Sequence, residues 1–446
     1  MRSMSGLFLV LLTTLVAFAP VFAAAEPEPA AGSLTLQECI DLALANNPDV
    51  AARGWEAAQA QAQRDAAAGR QWPSLHAVGT ASYFLDNQRL IPARFNGELG
   101  VFGGTFLSGD LVLAMPIFTG GQIVSRIKAT ELLQAAAEHR LVRSREELIF
   151  NVSSVYFGIL AQQRLIESLV LSIRSLERQR ERIQDLIAVS KGVRVDLLRT
   201  EVRLANLEQR GTQERNAMDI LRRVLANFMA RRETNGPVAI RGTLEFSPVD
   251  VAPERLLPSV YERREDYLAT RAEVGAQERN IAAAQGAHWP QISLRGAYGV
   301  RGAYNPAQHP RSQDNPDDAG VIGLFVDLPI FEGGQISARV REEQARLAAA
   351  QERLRKLELQ IRIEVESAAL NVTSAQKRIL TTGKSVEQAE EGYGIEQDKY
   401  DFGKGTIVDV LDAQSALLEA QSTYYRALAD HEIAKAQLRL ATGGRQ

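Results

Sequence analysis

The stretch Asp327–Gln335 reads DLPIFEGGQ, and the fold turns on it. Before it, apolar and polar residues alternate; after it runs a long segment with an apolar residue at every seventh position. Between them stand Pro329 and the pair Gly333-Gly334, residues that punctuate secondary structure. The stretch therefore reads as a β-strand leaving through a turn into a long helix. It has a copy at Ala114–Gln122, AMPIFTGGQ, offset by 213 positions, with Pro116 for Pro329 and Gly120-Gly121 for Gly333-Gly334. The same offset of 213 links Lys191-Gly192 to Lys404-Gly405 and Val195-Asp196 to Val408-Asp409. A period this long marks a duplicated domain, because solenoid repeats run roughly 20–50 residues.

Ahead of each junction lie two strand candidates. In residues 74–85, Leu75, Ala77, Tyr83 and Leu85 alternate with Ser74, His76, Thr80 and Ser82. In residues 105–117, Leu107, Leu111, Leu113, Met115 and Ile117 alternate with Ser108, Asp110 and Ala114. The second copy offers 291–301, where Ile292, Leu294, Tyr298 and Val300 alternate with Ser293, Arg295 and Arg301. It also offers 321–331, where Ile322, Leu324, Val326, Leu328 and Ile330 alternate with Gly323 and Asp327. The polar stretches between the members of each pair, 86–104 and 301–320, read as exposed loops. Strands of about ten residues with one apolar and one polar face carry the signature of a transmembrane β-barrel. Asp110, Arg295, Arg301 and Asp327 fall on the polar faces and are candidates to line an outer pore.

Behind the junctions come helices. Val340, Leu347, Leu354 and Ile361 repeat by seven; the phase slips by four to Val365 and resumes at Val372, Ile379, Val386, Tyr393 and Tyr400. The first copy slips at the equivalent place, from Leu148 to Val152. A four-residue stutter locally unwinds a supercoil. One helix from Gln335 to Phe402 would be about 100 Å long. Turns at Ser190–Gly192 and Gly403–Gly405 send the chain back, giving helical hairpins over 122–231 and 335–441. Leu34–Arg70 is a further helix, with a kink expected at Asn46–Pro48 and a stop at Trp72-Pro73. Residues 26–232 and 254–446 are thus two repeats of one plan, joined by a connector over 233–253.

Residues 1–25 read as a secretory signal peptide. Arg2 supplies the positive region, Leu7–Ala19 is free of charge, and Ala23-Ala24-Ala25 offers a cleavage site. Beyond residue 25 no continuous apolar run reaches the roughly 20 residues a spanning helix needs. Cys39 is the only cysteine, so no disulfide framework forms within one chain, and the preceding Leu36-Gln37-Glu38 is no lipidation signal. A net charge of −3 gives no broad basic face for nucleic acid. The five histidines, His76, His139, His288, His309 and His431, are scattered without ligand spacing, and no nucleotide, metal or nucleophile motif is present, so no cofactor and no enzymatic activity are expected.

A sheet in lipid must close on itself, and single-chain barrels need at least about eight strands. Four strands per chain therefore require several chains, each carrying long helices: a strand-lined pore continued by a helical tube. Here the sequence resembles the TolC family of outer membrane efflux proteins over nearly the whole mature chain. The resemblance rests on LTLQECIDLALANNP at Leu34–Pro48, the two PIFxGGQ junctions, and YDFGKGTIVDVLDAQ at Tyr400–Gln414. It implies a mainly α fold with membrane β: a homotrimer whose strands form one 12-stranded outer-membrane barrel, continuous with a periplasmic α-helical barrel. It implies passive export, with a periplasmic adaptor docking at the helical tips around Lys191, Gly192, Gly403, Lys404 and Gly405, and an inner-membrane transporter supplying the energy.

Asp409 and Asp412 are three apart on one helix face. The resemblance implies that they ring the periplasmic constriction, where carboxylates favour cations. The residues alone equally allow a helix N-terminal charge at Asp409. The family also ties its closed tip with a Tyr and an Arg; Tyr400 matches the Tyr and Asp196 its acidic partner, but the Arg position is Gly405. Lys404 or Arg194 is the expected substitute. The competing readings are a periplasmic coiled-coil adaptor, which would lack lipid-facing strands, and a secreted enzyme on a helical scaffold.

Overall fold

In the computed structural model, which describes residues 33–91, 101–231, 238–251, 253–304 and 317–444, the two repeats share one sheet and a bundle of long helices. The signal peptide expected over 1–25 and parts of the connector lie outside the described residues. The first repeat contains α1 (Leu36–Asn46), α2 (Pro48–Gly69), β1 (Ser74–Ile91), β2 (Val101–Thr119), α3 (Gln122–Ala188) and α4 (Arg194–Phe228). The second contains α5 (Pro253–Arg263), α6 (Glu265–Gly286), β3 (Gln291–Tyr304), β4 (Asp317–Asp327), α7 (Gln335–Asp401) and α8 (Ile407–Thr442).

The strands form an antiparallel sheet in the order β1-β2-β3-β4, so the duplicated hairpins join edge to edge through β2 and β3. Register puts Leu75, Leu111, Leu113, Tyr298, Ile322 and Leu324 on one face, all of them solvent-exposed or half-exposed in the single chain. The other face carries His76, Ser108, Asp110, Arg295, Arg301 and Asp327. The hairpins are longer than the alternation indicates: β1 runs on through residues 86–91, β2 starts at Val101, and β3 continues to Tyr304. Cross-strand hydrogen bonding outlasts the apolar pattern there, with Gln88 opposite Gly103.

The strand expected over 321–331 is shifted; β4 starts at Asp317 and stops at Asp327. Asp327 pairs with Gln291, the first residue of β3, so Leu328–Phe331 have no partner strand, and Pro329 has no N–H to offer one. Its counterpart Pro116 stays within β2, beside an irregularity between Pro116 and Phe118, because β3 still runs alongside.

Two consecutive left-handed glycines make each strand-to-helix junction. Gly120 and Gly121 have φ of 61° and 81°, and Gly333 and Gly334 have 60° and 82°, a conformation that costs other residues a Cβ clash. The long helices that follow are 67 residues each and pass through their stutters unbroken. The stutters sit where the short helices cross. Leu148 and Val152 of α3 pack with Cys39 and Ile40 of α1, and Ile361 and Val365 of α7 pack with Val260 of α5.

The helix expected over Leu34–Arg70 is two helices. Asn47, in an extended conformation, ends α1; its Oδ1 accepts from the N–H groups of Asp49 and Val50, capping α2. Its Nδ2 donates to the Phe228 carbonyl at 3.0 Å, so the end of α4 abuts the start of α2. In the second repeat Arg264 precedes α6 and donates to the Ala441 carbonyl at the end of α8. Each short helix thus continues the line of a returning one, with its positive end against the other's negative end. Arg264 is fully buried and paired with Asp266 and Glu364.

The connector works as a strap. Leu34 bridges Ile240, Tyr156 donates to the Arg241 carbonyl, and Phe246 lies edge-on to buried His431 of α8. Gln376 of α7 donates to the Val249 carbonyl at 2.8 Å.

Backbone conformation makes two glycine substitutions opposite in sign. Gly334→Ala, at φ +82° with open space around a new Cβ, should lower unfolding free energy by about 1–3 kcal/mol. Gly54→Ala, inside α2 with nothing nearby, should raise it by about 0.5–1 kcal/mol. Urea unfolding of detergent-solubilised protein measures both, and equal effects would remove the left-handed junction from the account.

Candidate functional site

The tip opposite the sheet is built by two matching turns. After α3, Ser190 adopts φ 61° and the N–H groups of Lys191 and Gly192 both return to the Leu186 carbonyl, at 2.8 and 2.9 Å. After α7, Gly403 adopts φ 67° and Lys404 and Gly405 return to the Lys399 carbonyl, at 2.8 and 3.0 Å. The turn explains the absence of a long side chain at Gly405. A Cβ there would stand 3.0 Å from the Lys399 Cβ and 3.1 Å from the Tyr400 nitrogen.

Behind the turns the two hairpins share one core. Leu176 and Ile183 of α3, Leu204 and Leu207 of α4, and Ile407, Val410 and Leu418 of α8 are buried together, with Tyr393 and Tyr400 of α7 at its edge. Tyr400 is half-buried near Asp196. Burial, and then the Asp196 charge, push its phenol pKa above the ordinary value. Tyr400 and Asp196 are thus near enough to interact, while the side-chain hydrogen bond of Tyr400 is to Gln179.

In this structure neither Lys404 nor Arg194 makes the ion pairs seen between the hairpins; other arginines do, with Arg210 of α4 3.7 Å from Glu419 of α8. Arg182 Nη1 of α3 donates to Asp401 Oδ1 of α7 at 2.6 Å, and the hydroxyls of Ser175 and Tyr393 meet at 3.1 Å. Among the described residues Lys404 and Arg194 form no ion pair. Sequence reasoning missed Arg182 because its partner lies 219 positions away and no motif marks the pair.

The two aspartates of α8 are differently employed. Asp409 is exposed and closes a capping box: Thr406 Oγ1 donates to its carboxylate at 2.6 Å and the Thr406 N–H at 3.1 Å. These hydrogen bonds hold its pKa below the usual carboxylate value. Asp412 is also exposed and lines a cleft between α4 and α8 with Val195, Leu198, Arg199, Arg203 and Val408. At the other end, Asp110, Arg295, Arg301 and Asp327 share the polar face of the sheet. There the Arg295 guanidinium lies 5.1 Å from the Phe325 ring centre. Among the described residues no group of three or more His, Cys, Asp and Glu side chains is placed to hold a metal. Cys39 is fully buried, and desolvation raises its thiol pKa to about 11.

Residues 39–231 and 256–444, one segment in each repeat, match the family described as outer membrane efflux protein. The outer membrane protein TolC of Vibrio cholerae is 22% identical over 343 residues, 76% of each chain. The cobalt-zinc-cadmium resistance protein CzcC of Cupriavidus metallidurans is 23% identical over 436 residues, 94% of this chain and 95% of that relative. The CmeC outer membrane channel of Campylobacter jejuni superposes with a TM-score of 0.80 at 17% identity, covering 95% of this chain and 90% of the other. With both repeats matched at the positions where the strands, junctions and hairpins lie, the chain belongs to the outer membrane efflux protein family.

Proposed function

We propose that three copies of this chain close a 12-stranded barrel in the outer membrane and continue it as a tube of helices across the periplasm. The tube works as a passive duct for efflux or secretion. The observation that carries this reading is the sheet. Its apolar face is exposed, and its outer strands β1 and β4 each leave one edge unpaired among the described residues. An open edge in lipid leaves peptide groups without partners, so the sheet must be completed by further copies. A coiled-coil adaptor would have no such sheet.

The helices support the same assembly. Leu359, Ile363 and Leu370 of α7 are exposed in the single chain, though three such side chains on one helix favour a covered surface. The tips carry the turns at which a periplasmic adaptor would dock, and an inner-membrane transporter joined through that adaptor would drive export. Choice of cargo would belong to those partners. The constriction is read at the tip, with Asp409 and Asp412 facing the lumen and Tyr400, Asp196, Arg182 and Asp401 holding the hairpins closed.

Light scattering of detergent-extracted protein, with detergent subtracted, should give three chains per particle, and Ile363→Glu should lower that fraction. A monomeric or soluble protein would sink the barrel. At the tip, Arg182→Ala or Asp401→Ala should raise the open fraction in bilayer recordings by up to about fivefold, the size of an exposed pair. The charge swap should restore closure, and Lys404→Ala should change nothing. Block by a trivalent cation should persist as pH falls towards 4. The depressed Asp409 pKa keeps that carboxylate charged above its lowered value, and its contribution is lost only as pH drops through it.

A further inference from the structure

The duplication places an unlike residue opposite one of the two aspartates. At the offset of 213, Asp409 answers to Asp196, an acid to an acid, whereas Asp412 answers to Arg199. Three residues along a helix is a rise of about 4.5 Å, so the tip carries two levels of charge. One level is acidic in both repeats; the next mixes signs.

Side-chain geometry adds to the pattern. Asp412 of α8 lines an otherwise largely apolar cleft together with Arg199 and Arg203 of α4, without a direct ion pair to either among the described residues. Arg203 is anchored there. It donates to the hydroxyl of Ser415, three residues beyond Asp412, and that hydroxyl in turn donates to the Leu411 carbonyl at 2.7 Å. Arg203 is partly buried, and the Asp412 charge opposes the loss of its own charge that burial favours. The counterpart of Arg203 in the second repeat is Ala416, so this cation has no twin. Asp409, by contrast, has no arginine in its capping box; its partner is Thr406, and the cation that acts on it, Lys399, is itself paired with Glu396.

We propose that Arg199 and Arg203 are the countercharges of Asp412, so that the duct's lower constriction is acidic only at the level of Asp196 and Asp409 and is charge-compensated at the level of Asp412. The inference rests on the lumen-facing reading of these aspartates. The two arginines are then selectivity residues. They cancel one carboxylate ring, confine cation capture to the other, and leave an anionic cargo a weaker barrier beyond the first ring than two acidic rings would raise.

Spermidine block of single channels in planar bilayers tests this with the full-length protein. Asp409→Asn should weaken block strongly, whereas Asp412→Asn should change it less than about twofold while both arginines are present. In an Arg199→Gln/Arg203→Gln background, block should tighten, and Asp412→Asn should then weaken it by about fivefold, the size of one exposed charge pair. Arg203→Lys, which keeps the charge, should behave as the parent and separates charge from packing. Should Asp412→Asn weaken block as much as Asp409→Asn in the parent, with the arginine changes without effect, the compensation is overturned while the constriction stands. Block indifferent to both aspartates would overturn the lumen-facing reading itself, and the compensation with it.

Discussion

Unpaired peptide groups at the edges of a four-stranded sheet are the constraint on which the rest of this structure depends. The sheet has an apolar face fit for lipid, but its edge strands β1 and β4 each lack one neighbour among the described residues. Hydrocarbon cannot supply the missing hydrogen bonds, and the proposed closure by other copies would. The glycine pairs at 120–121 and 333–334 start the long helices α3 and α7, the first directly after β2 and the second after the unpaired segment that follows β4. The short helices α2 and α6 lead into the strands, and α4 and α8 return from the tip to meet them. Asn47 and Arg264 seal the seams by donating to the terminal carbonyls of the helix below.

Duplication supplies the plan, and the departures from it show where the two repeats have different work. Both tips close with the same pair of backbone hydrogen bonds, yet the left-handed position is Gly403 in one and Ser190 in the other. Both seams are sealed, but one by a neutral amide and the other by a buried guanidinium with two carboxylates. Replacing one partner of a buried ion pair typically costs about 3–5 kcal/mol, so the second repeat's seam tolerates less change than the first.

The broad architecture was legible in the sequence because it is written in short-range regularities. The two PIFxGGQ junctions, the seven-residue periodicity and its matched slips needed only local pattern and one offset. The strand ends were less legible. Residues 88–91 (QRLI) and 101–103 (VFG) do not alternate, yet they remain in the ladder because backbone pairing carries them. Conversely Leu328 and Ile330 keep the alternation after the partner strand has run out. At the tip, resemblance pointed to Tyr400 and Asp196, whereas nothing pointed to Arg182 and Asp401, since a surface pair across two hairpins leaves no trace in either segment. Asp409 was open between a pore residue and a helix cap; Thr406 shows that it serves as the cap whatever else it faces.

One feature of the sheet also sets an order of events. Each β-hairpin pairs residues close in the chain, but the β2–β3 ladder joins Thr119 to Gln291, across the whole of α3, α4, the strap, α5 and α6. Contacts of such separation form slowly, because a long loop must close before any of them is rewarded. Chain separation therefore favours the two hairpins as local units first and the central ladder late. Before that ladder closes, four strand edges rather than two stand unpaired, so late pairing of β2 with β3 lengthens the time for which the chain is open to aggregation.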